Sequence, residues 1–236
     1  MAAQLWCVVP AAGRGMRVGG PMPKQYMPLA GRPLIERTLD QLAAHPLIAG
    51  LVVVLAVDDE RWNGIDRSWG KPLLAATGGA ERCDSVLAGL RALPPEVRAD
   101  DFVLVHDAAR PCVRHADITT LIERGSEVDG GLLGAPLRDT LKRADDAGRS
   151  QVTEPRDHRW RAFTPQMFRR AQLSAALQSA IDAGITVSDE AMAMERAGFA
   201  PLLVEGAEDN IKVTTATDFA LAEFLLHRLQ TRNTIA

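Results

Sequence analysis

The sequence has no apolar run long enough to span a bilayer, and no basic stretch precedes the apolar residues of its opening segment, MAAQLWCVVPAAG. Neither a membrane protein nor an exported one is expected, and a cytoplasmic location is. Cysteine is scarce: Cys7, Cys83 and Cys112 form no CxxC pair and no even framework, which excludes a disulfide scaffold and leaves free thiols in a reducing compartment. The five histidines show no HxH or HExxH spacing, so no zinc site is expected. Positive charge is not in excess either. With 27 Lys and Arg against 30 Asp and Glu, the net charge of −3 argues against a nucleic-acid partner, because neutralising a phosphate backbone takes a clear basic surplus. A small anionic ligand needs only a few local cations and is not excluded. Internal repeats and low-complexity tracts are also missing.

What is present is a globular composition. Hydrophobic residues make up 47% and charged residues 24% of the 236, enough for one sizeable α/β domain with a buried core. Short β-type runs alternate with helical periods, the pattern of a parallel sheet covered by helices. Strands are predicted at Leu5–Val9, Leu51–Val57, Leu73–Thr77, Phe102–His106, Gly131–Ala135 and Pro201–Val204. Helices are predicted after Pro33, near Asp59–Trp62, after Gly78–Gly79, and over Ile118–Ser126, Met167–Ala183, Asp189–Ala197 and Ala216–Leu229. The segment from Leu137 to Arg161 breaks the rhythm. It has few core-forming residues and a turn signal at Asp145–Gly148, and reads as two modest strands around a polar hairpin. Such a hairpin cannot supply its own core, so it lies on the surface or packs on another subunit.

Four stretches carry candidate chemistry. PAAGRGMRVGGPMPKQY, from Pro10 to Tyr26, follows the first strand and sets Arg17 and Lys24 among glycines. Gly13 and Gly15 let backbone N–H groups approach an anion at the carboxyl edge of the sheet. The loop is not a Walker A motif, since Pro21 follows Gly20, and Val18 stands where GxGxxG needs its third glycine. GGAERCDSV places Gly79 ahead of Arg82 and Ser85 on the next helix, where Gly79 permits close approach of a planar ligand; alone, it reads equally as an ordinary turn. LVHDAARP ends a buried strand on Asp107 beside Ala108 and Ala109, suited to a nucleotide-bound metal or a ribose, or simply to capping a loop. DNIKVTT sets Asp209 three residues before Lys212, as a surface ion pair or as a substrate clamp.

Taken in order, PAAGxGxR…PKQY, GGxxRxDSV, VHDAARP, LRDTLKRA, TPQ, DEA and DNIKVT resemble the 2-C-methyl-D-erythritol 4-phosphate cytidylyltransferase family over essentially the whole chain. The set is far more specific than any single motif. The resemblance implies a Rossmann-like, mostly parallel twisted sheet with helices on both faces, of the nucleotide-diphospho-sugar transferase type. It also implies a β-hairpin arm at about 137–161, a homodimer, and a Mg2+-dependent transfer of CMP from CTP. On matching positions, Arg17 and Lys24 stabilise the transition state at the α-phosphate. Pro10, Ala11, Ala12, Gly13, Gly79, Arg82, Ser85, Asp107 and Ala108 surround CTP, with Asp107 at the metal. Thr140, Arg156, Thr164, Ser188, Asp209 and Lys212 surround the methylerythritol phosphate, and Arg156 reaches a neighbouring subunit's site. Two positions depart from the family pattern: Ser188 stands where Thr is frequent, and Met16 where a second basic residue is common.

Such a reaction explains why no catalytic triad is found. The nucleophile is a phosphate monoester with a second pKa of about 6, already mostly a dianion at pH 7 and in no need of a general base. Catalysis then reduces to bringing two repelling anions into line and neutralising the crowded transition state. Two rivals stay open on sequence: a ribitol-5-phosphate cytidylyltransferase with the same CTP loop text, and a nucleotide-binding module that has lost turnover.

Overall fold

The structure is a computed structural model that describes residues 5–13, 22–65 and 69–235. Strand β1 (Leu5–Pro10) leads through a short ladder, β2 (Pro28–Leu29) with β3 (Arg32–Pro33), into helix α1 (Leu34–Ala44). Strands β4 (Ile48–Leu55) and β5 (Leu73–Thr77) follow, then α2 (Arg82–Arg91), β6 (Phe102–Val105), α3 (His115–Ser126) and β7 (Gly131–Pro136). A hairpin of β8 (Leu141–Ala144) and β9 (Ser150–Glu154) comes next. The chain ends with β10 (Trp160–Arg169), α4 (Arg170–Asp182), α5 (Glu190–Arg196), β11 (Leu202–Glu205) and α6 (Ala216–Ile235).

Seven strands make one sheet in the order β11-β7-β10-β6-β1-β4-β5. Every neighbouring pair is parallel except those of β10, which runs against both β6 and β7. Because side chains alternate across a strand, Cys7 and Val9 of β1 join Leu51 and Val53 of β4 on one face, while Val8 joins Val52 and Val54 on the other. Helices cover both faces, so these strands are apolar throughout. Ile35, Leu39 and Leu42 of α1 and Ile118 and Leu121 of α3 pack on the first face. Val86, Leu87 and Leu90 of α2 and Leu173 and Leu177 of α4 pack on the second. Ala222 and Leu226 of α6 close a third cluster with Leu29, Leu34 and Val213. The α/β layering expected from the sequence is therefore present.

Two expectations need correction. The run expected at Leu51–Val57 is β4 at Ile48–Leu55; it begins earlier because Ile48 pairs with Leu5, and it stops before Val57, which is 86% exposed. The helix expected from Met167 begins at Arg170. Met167 and Phe168 are fully buried in β10, paired with Leu104 and Val103 of β6. The ladder to β7 slips between Ala162 and Gln166, around Pro165, which has no N–H to give. The hairpin expected in the polar segment is seen as a separate two-stranded sheet of exposed residues, turned at Asp145, whose carbonyl accepts the Gly148 N–H. Trp160 and Arg161, by contrast, belong to the main sheet.

Candidate active site

The carboxyl ends of parallel strands β1 and β6 lie side by side, and their exit loops wall a cleft together with the loop after β5. This is the edge where α/β sheets bind ligands. Each loop starts with a backbone bond that prolongs the ladder: Ala11 N–H to Val54 O at 2.7 Å, His106 N–H to Val8 O at 2.9 Å, and Gly78 N–H to Leu55 O at 2.7 Å. The residues lining the cleft are Pro10 to Gly13, Lys24, Gln25, Gly79 to Arg82, Ser85, Asp107 to Ala109, and Lys212. Every residue expected to surround CTP is among them, as are Lys24 and Lys212.

Local chemistry fixes each wall. The Gln25 amide donates to Ala11 O at 2.8 Å, holding the loop after β1. The Lys24 ammonium donates to Val213 O at 2.6 Å, joining two loops 189 residues apart in sequence. A reciprocal capping box between Glu81 and Asp84 starts α2. A Cβ on Gly79 would fall 2.4 Å from Asp84 Cβ, and one on Gly78 would fall 2.6 Å from Ser85 Oγ and 2.8 Å from Ala12 Cβ. Gly79 is thus required by the packing of the capping residue Asp84, and Gly78 by that of Ser85 and Ala12, reasons the sequence did not disclose.

Asp107 anchors the charge at the cleft floor. Its carboxylate meets Lys212 Nζ at 2.9 Å, Arg82 Nη2 at 3.2 Å and Arg110 Nε at 3.5 Å. Burial alone would raise its pKa, but the charges of Arg82, Lys212 and Arg110 outweigh that and hold it well below the usual carboxylate range. Arg82 also forks onto Glu190, at 2.5 and 3.1 Å. Burial works against its charge as well, and the two carboxylates prevail, so the guanidinium stays protonated.

The remaining expected residues are distributed differently. Thr164 is buried behind the floor, where its Oγ1 accepts the Asp107 N–H at 3.0 Å. Asp209 pairs with Arg114 and lines a separate small pocket with Leu225 and Arg228. Thr140 and Arg156 are exposed in the hairpin region, where the Arg156 guanidinium donates to Arg138 O. Ser188 is exposed, with its hydroxyl 3.6 Å from Met192 Sδ. Arg17 lies outside the described residues.

A family profile described as 2-C-methyl-D-erythritol 4-phosphate cytidylyltransferase matches residues 5–228. The chain belongs to this family. A Stenotrophomonas maltophilia protein of that name is 58% identical over 229 residues, covering 97% of this chain and 99% of the relative. A Xanthomonas oryzae pv. oryzae protein of the same name is 59% identical over 229 residues, covering 96% of this chain and 84% of the relative. Among solved structures, a 4-diphosphocytidyl-2C-methyl-D-erythritol synthase superposes with a TM-score of 0.83 at 30% identity, covering 96% of this chain and all of that one. The Francisella tularensis cytidylyltransferase gives 0.82 at 32% identity, covering 94% of this chain and all of that one.

For a member of this cytidylyltransferase family, sequence reasoning passed over the residues that hold the site from behind. Glu190 was visible only as part of the DEA text; a glutamate opening a short apolar helix was the available signal. Gln166 donates to Asp189 Oδ2 at 2.9 Å and accepts the Ala191 N–H at 2.7 Å. The Asn210 side-chain amide donates to Thr164 O at 2.8 Å, while the Asn210 backbone carbonyl accepts from Arg110 at 2.7 Å. Among the described residues no three His, Cys, Asp or Glu side chains are grouped to hold a metal ion. A magnesium ion carried by a triphosphate takes most of its ligands from phosphate and water and only one or two carboxylates from protein, so a single ionised Asp107 fits that mode.

Proposed function

We propose that this chain transfers CMP from CTP to 2-C-methyl-D-erythritol 4-phosphate, giving 4-diphosphocytidyl-2-C-methyl-D-erythritol and pyrophosphate in isoprenoid precursor synthesis. The observation that carries the mechanism is the convergence of Lys24, Arg82 and Lys212 on one cleft at the carboxyl ends of β1 and β6. A phosphate oxygen of the acceptor forms a bond to the α-phosphorus of CTP. The bond from that phosphorus to the bridging oxygen breaks, and pyrophosphate leaves with the electron pair. No proton need be removed from the nucleophile, whose second pKa is about 6.

Arg17 and Lys24 supply positive charge where the transition state gathers negative charge. Pro10, Ala11, Ala12, Gly13, Gly79, Arg82, Ser85, Asp107 and Ala108 seat the nucleotide. Asp107 would contribute a carboxylate to Mg2+, which when bound neutralises the triphosphate. Lys212 holds the attacking phosphate, with Thr140, Arg156 and Ser188 completing the acceptor's surroundings; Thr164 backs the floor through the Asp107 N–H, and Asp209 would have to leave Arg114 to join them. The exposed β8–β9 hairpin serves as a dimerisation arm that carries Arg156 to a neighbouring copy's site. Three buried unpaired thiols, Cys7, Cys83 and Cys112, suit a reducing cytoplasm.

The test is pyrophosphate release from CTP, with methylerythritol 4-phosphate or ribitol 5-phosphate as acceptor, with and without Mg2+. Turnover is expected with the first acceptor and Mg2+. Preference for ribitol phosphate, or CTP binding with no pyrophosphate, overturns the assignment.

A further inference from the structure

The fully buried carboxylate of Glu190 sits beside the cleft without lining it. Burying an ion is costly unless it is paired and hydrogen-bonded, so a carboxylate in this position has a specific partner. That partner is Arg82. The two groups meet as a fork, Nη1 to Oε1 at 2.5 Å and Nη2 to Oε2 at 3.1 Å, and the same Nη2 also reaches Asp107 Oδ1 at 3.2 Å. A two-pronged carboxylate fixes the plane of a guanidinium as well as its place.

Arg82 needs such a clamp. It is the first residue of α2, where the positive end of the helix dipole disfavours a cation. It also shares Asp107 with Lys212 and Arg110, so two further cations surround the same carboxylate. Without Glu190 the guanidinium would be left to a single shared anion, free to rotate about that one contact. The two-pronged clamp stops that rotation, and among the described residues it leaves donors of the guanidinium without a partner.

Glu190 is itself held in register. Gln166, 1% exposed on β10, accepts the Ala191 N–H and donates to Asp189, the N-cap of α5, whose carboxylate in turn accepts the Met192 N–H at 3.0 Å. The start of α5 is thereby pinned to the sheet, and Glu190 is delivered to one place.

We propose that Glu190 is a positioning residue for the nucleotide site, fixing the plane of the Arg82 guanidinium so that it is preset for CTP. The proposal rests on the cytidylyltransferase reading. It predicts a split between substrates, because Arg82 is assigned to the nucleotide, while the acceptor's phosphate is assigned to Lys212 at the same cleft. Glu190→Gln keeps the shape and removes the charge; losing a buried charge-assisted fork is expected to weaken CTP binding about 10- to 100-fold, in KM and in calorimetric Kd. The KM for methylerythritol phosphate should stay within about twofold, a margin that allows for coupling between neighbouring residues. In an Arg82→Ala background the Glu190→Gln change should add no further loss, since the residue it acts through is gone.

Glu190→Asp, which keeps the charge and shortens the arm, should lie between wild type and Glu190→Gln; it carries the same test if the Gln variant does not fold. Unchanged CTP affinity in folded Glu190 variants, equal losses for both substrates, or losses that add fully on top of Arg82→Ala each overturn the proposal. The calorimetric arm needs no turnover, so failure here is distinguishable from failure of the assigned reaction, which would instead show as a wild-type protein releasing no pyrophosphate.

Discussion

The hydroxyl of Thr164 accepts the backbone N–H of Asp107 at 3.0 Å and lies 3.0 Å from Nδ1 of His106. The other nitrogen of that imidazole faces Arg110 O at 3.0 Å. A carbonyl can only accept, so Nε2 carries the proton and Nδ1 is bare. The Thr164 hydroxyl therefore donates to Nδ1 while it accepts from Asp107, and every polar atom of this buried trio is used. Thr164→Val keeps the shape but orphans a buried N–H and a buried imidazole nitrogen. It should cost about 1–3 kcal/mol for each group left unsatisfied. Urea unfolding measures this, and a change below a few tenths of a kcal/mol would show that water replaces the hydroxyl.

The same trio sets a pH dependence. Burial lowers the His106 pKa from 6.5 to about 4, partly opposed by its bonds to Arg110 and Thr164. The unfolded chain takes up a proton near pH 6.5 and the folded chain only near 4, so the unfolded state gains the proton first. The stability from keeping this ring neutral is complete above 6.5 and is lost as pH falls from 6.5 toward 4. Its full size is about 3 kcal/mol, from 1.36 kcal/mol per pKa unit. His45, buried beside His115 and Lys71, is also lowered to about 4 and acts in the same direction. Unfolding free energies at pH 7 and pH 5 test this. A flat profile, or one no flatter in His106→Gln, would refute it.

Lys24→Ala should lower kcat by about 10²–10³, the usual loss for one preorganised donor at a reacting centre, with a modest change in CTP KM. The ammonium also holds Val213 O, so the variant loosens the approach of the Lys212 loop. An unaltered kcat in Lys24→Ala would remove the residue from the chemistry.

How much of this could be read in advance depends on where the information lies. β1, β5 and β6 were legible because buried parallel strands need unbroken apolar runs, and the loops after them because glycines and charges cluster there. β10 was not: WRAFTPQMFR contains a proline and no β-branched residue but Thr164, and it is a strand only because β6 and β7 offer ladders on both sides. The cleft lining was legible through motif text. Glu190, Gln166 and Asn210 were not, since the partners named above are 23 to 108 residues away and no local pattern announces a buried polar pair. The reason for Gly79 likewise lies in a contact with Asp84, which glycine spacing alone could not reveal.

Asp107→Asn separates two roles of one carboxylate. It removes the anion that holds Arg82, Lys212 and Arg110 together, and it removes the proposed oxygen ligand of Mg2+. If the metal role matters, the Mg2+ concentration for half-maximal rate should rise about tenfold, the lower range for losing an interaction to a charged group. Saturating Mg2+ should then recover part of the activity. A loss in kcat/KM with unchanged Mg2+ dependence would assign Asp107 to the cation cluster alone.

The exposed hairpin bears on assembly. If Arg156 serves the site of a neighbouring copy, then Arg156→Ala and Lys24→Ala damage different halves of one composite site. Each variant alone has every site impaired. In a mixed dimer, the Lys24 of one subunit meets the Arg156 of the other in one intact site, while the second site carries both changes. Equal mixing of subunits with free exchange should restore about a quarter of the wild-type rate, because half of the twofold-symmetric dimers are mixed and half of their sites are whole. Mixed protein that gains nothing over the separate variants, under conditions where exchange is shown by tagged subunits, would place Arg156 in its own subunit's site or in none.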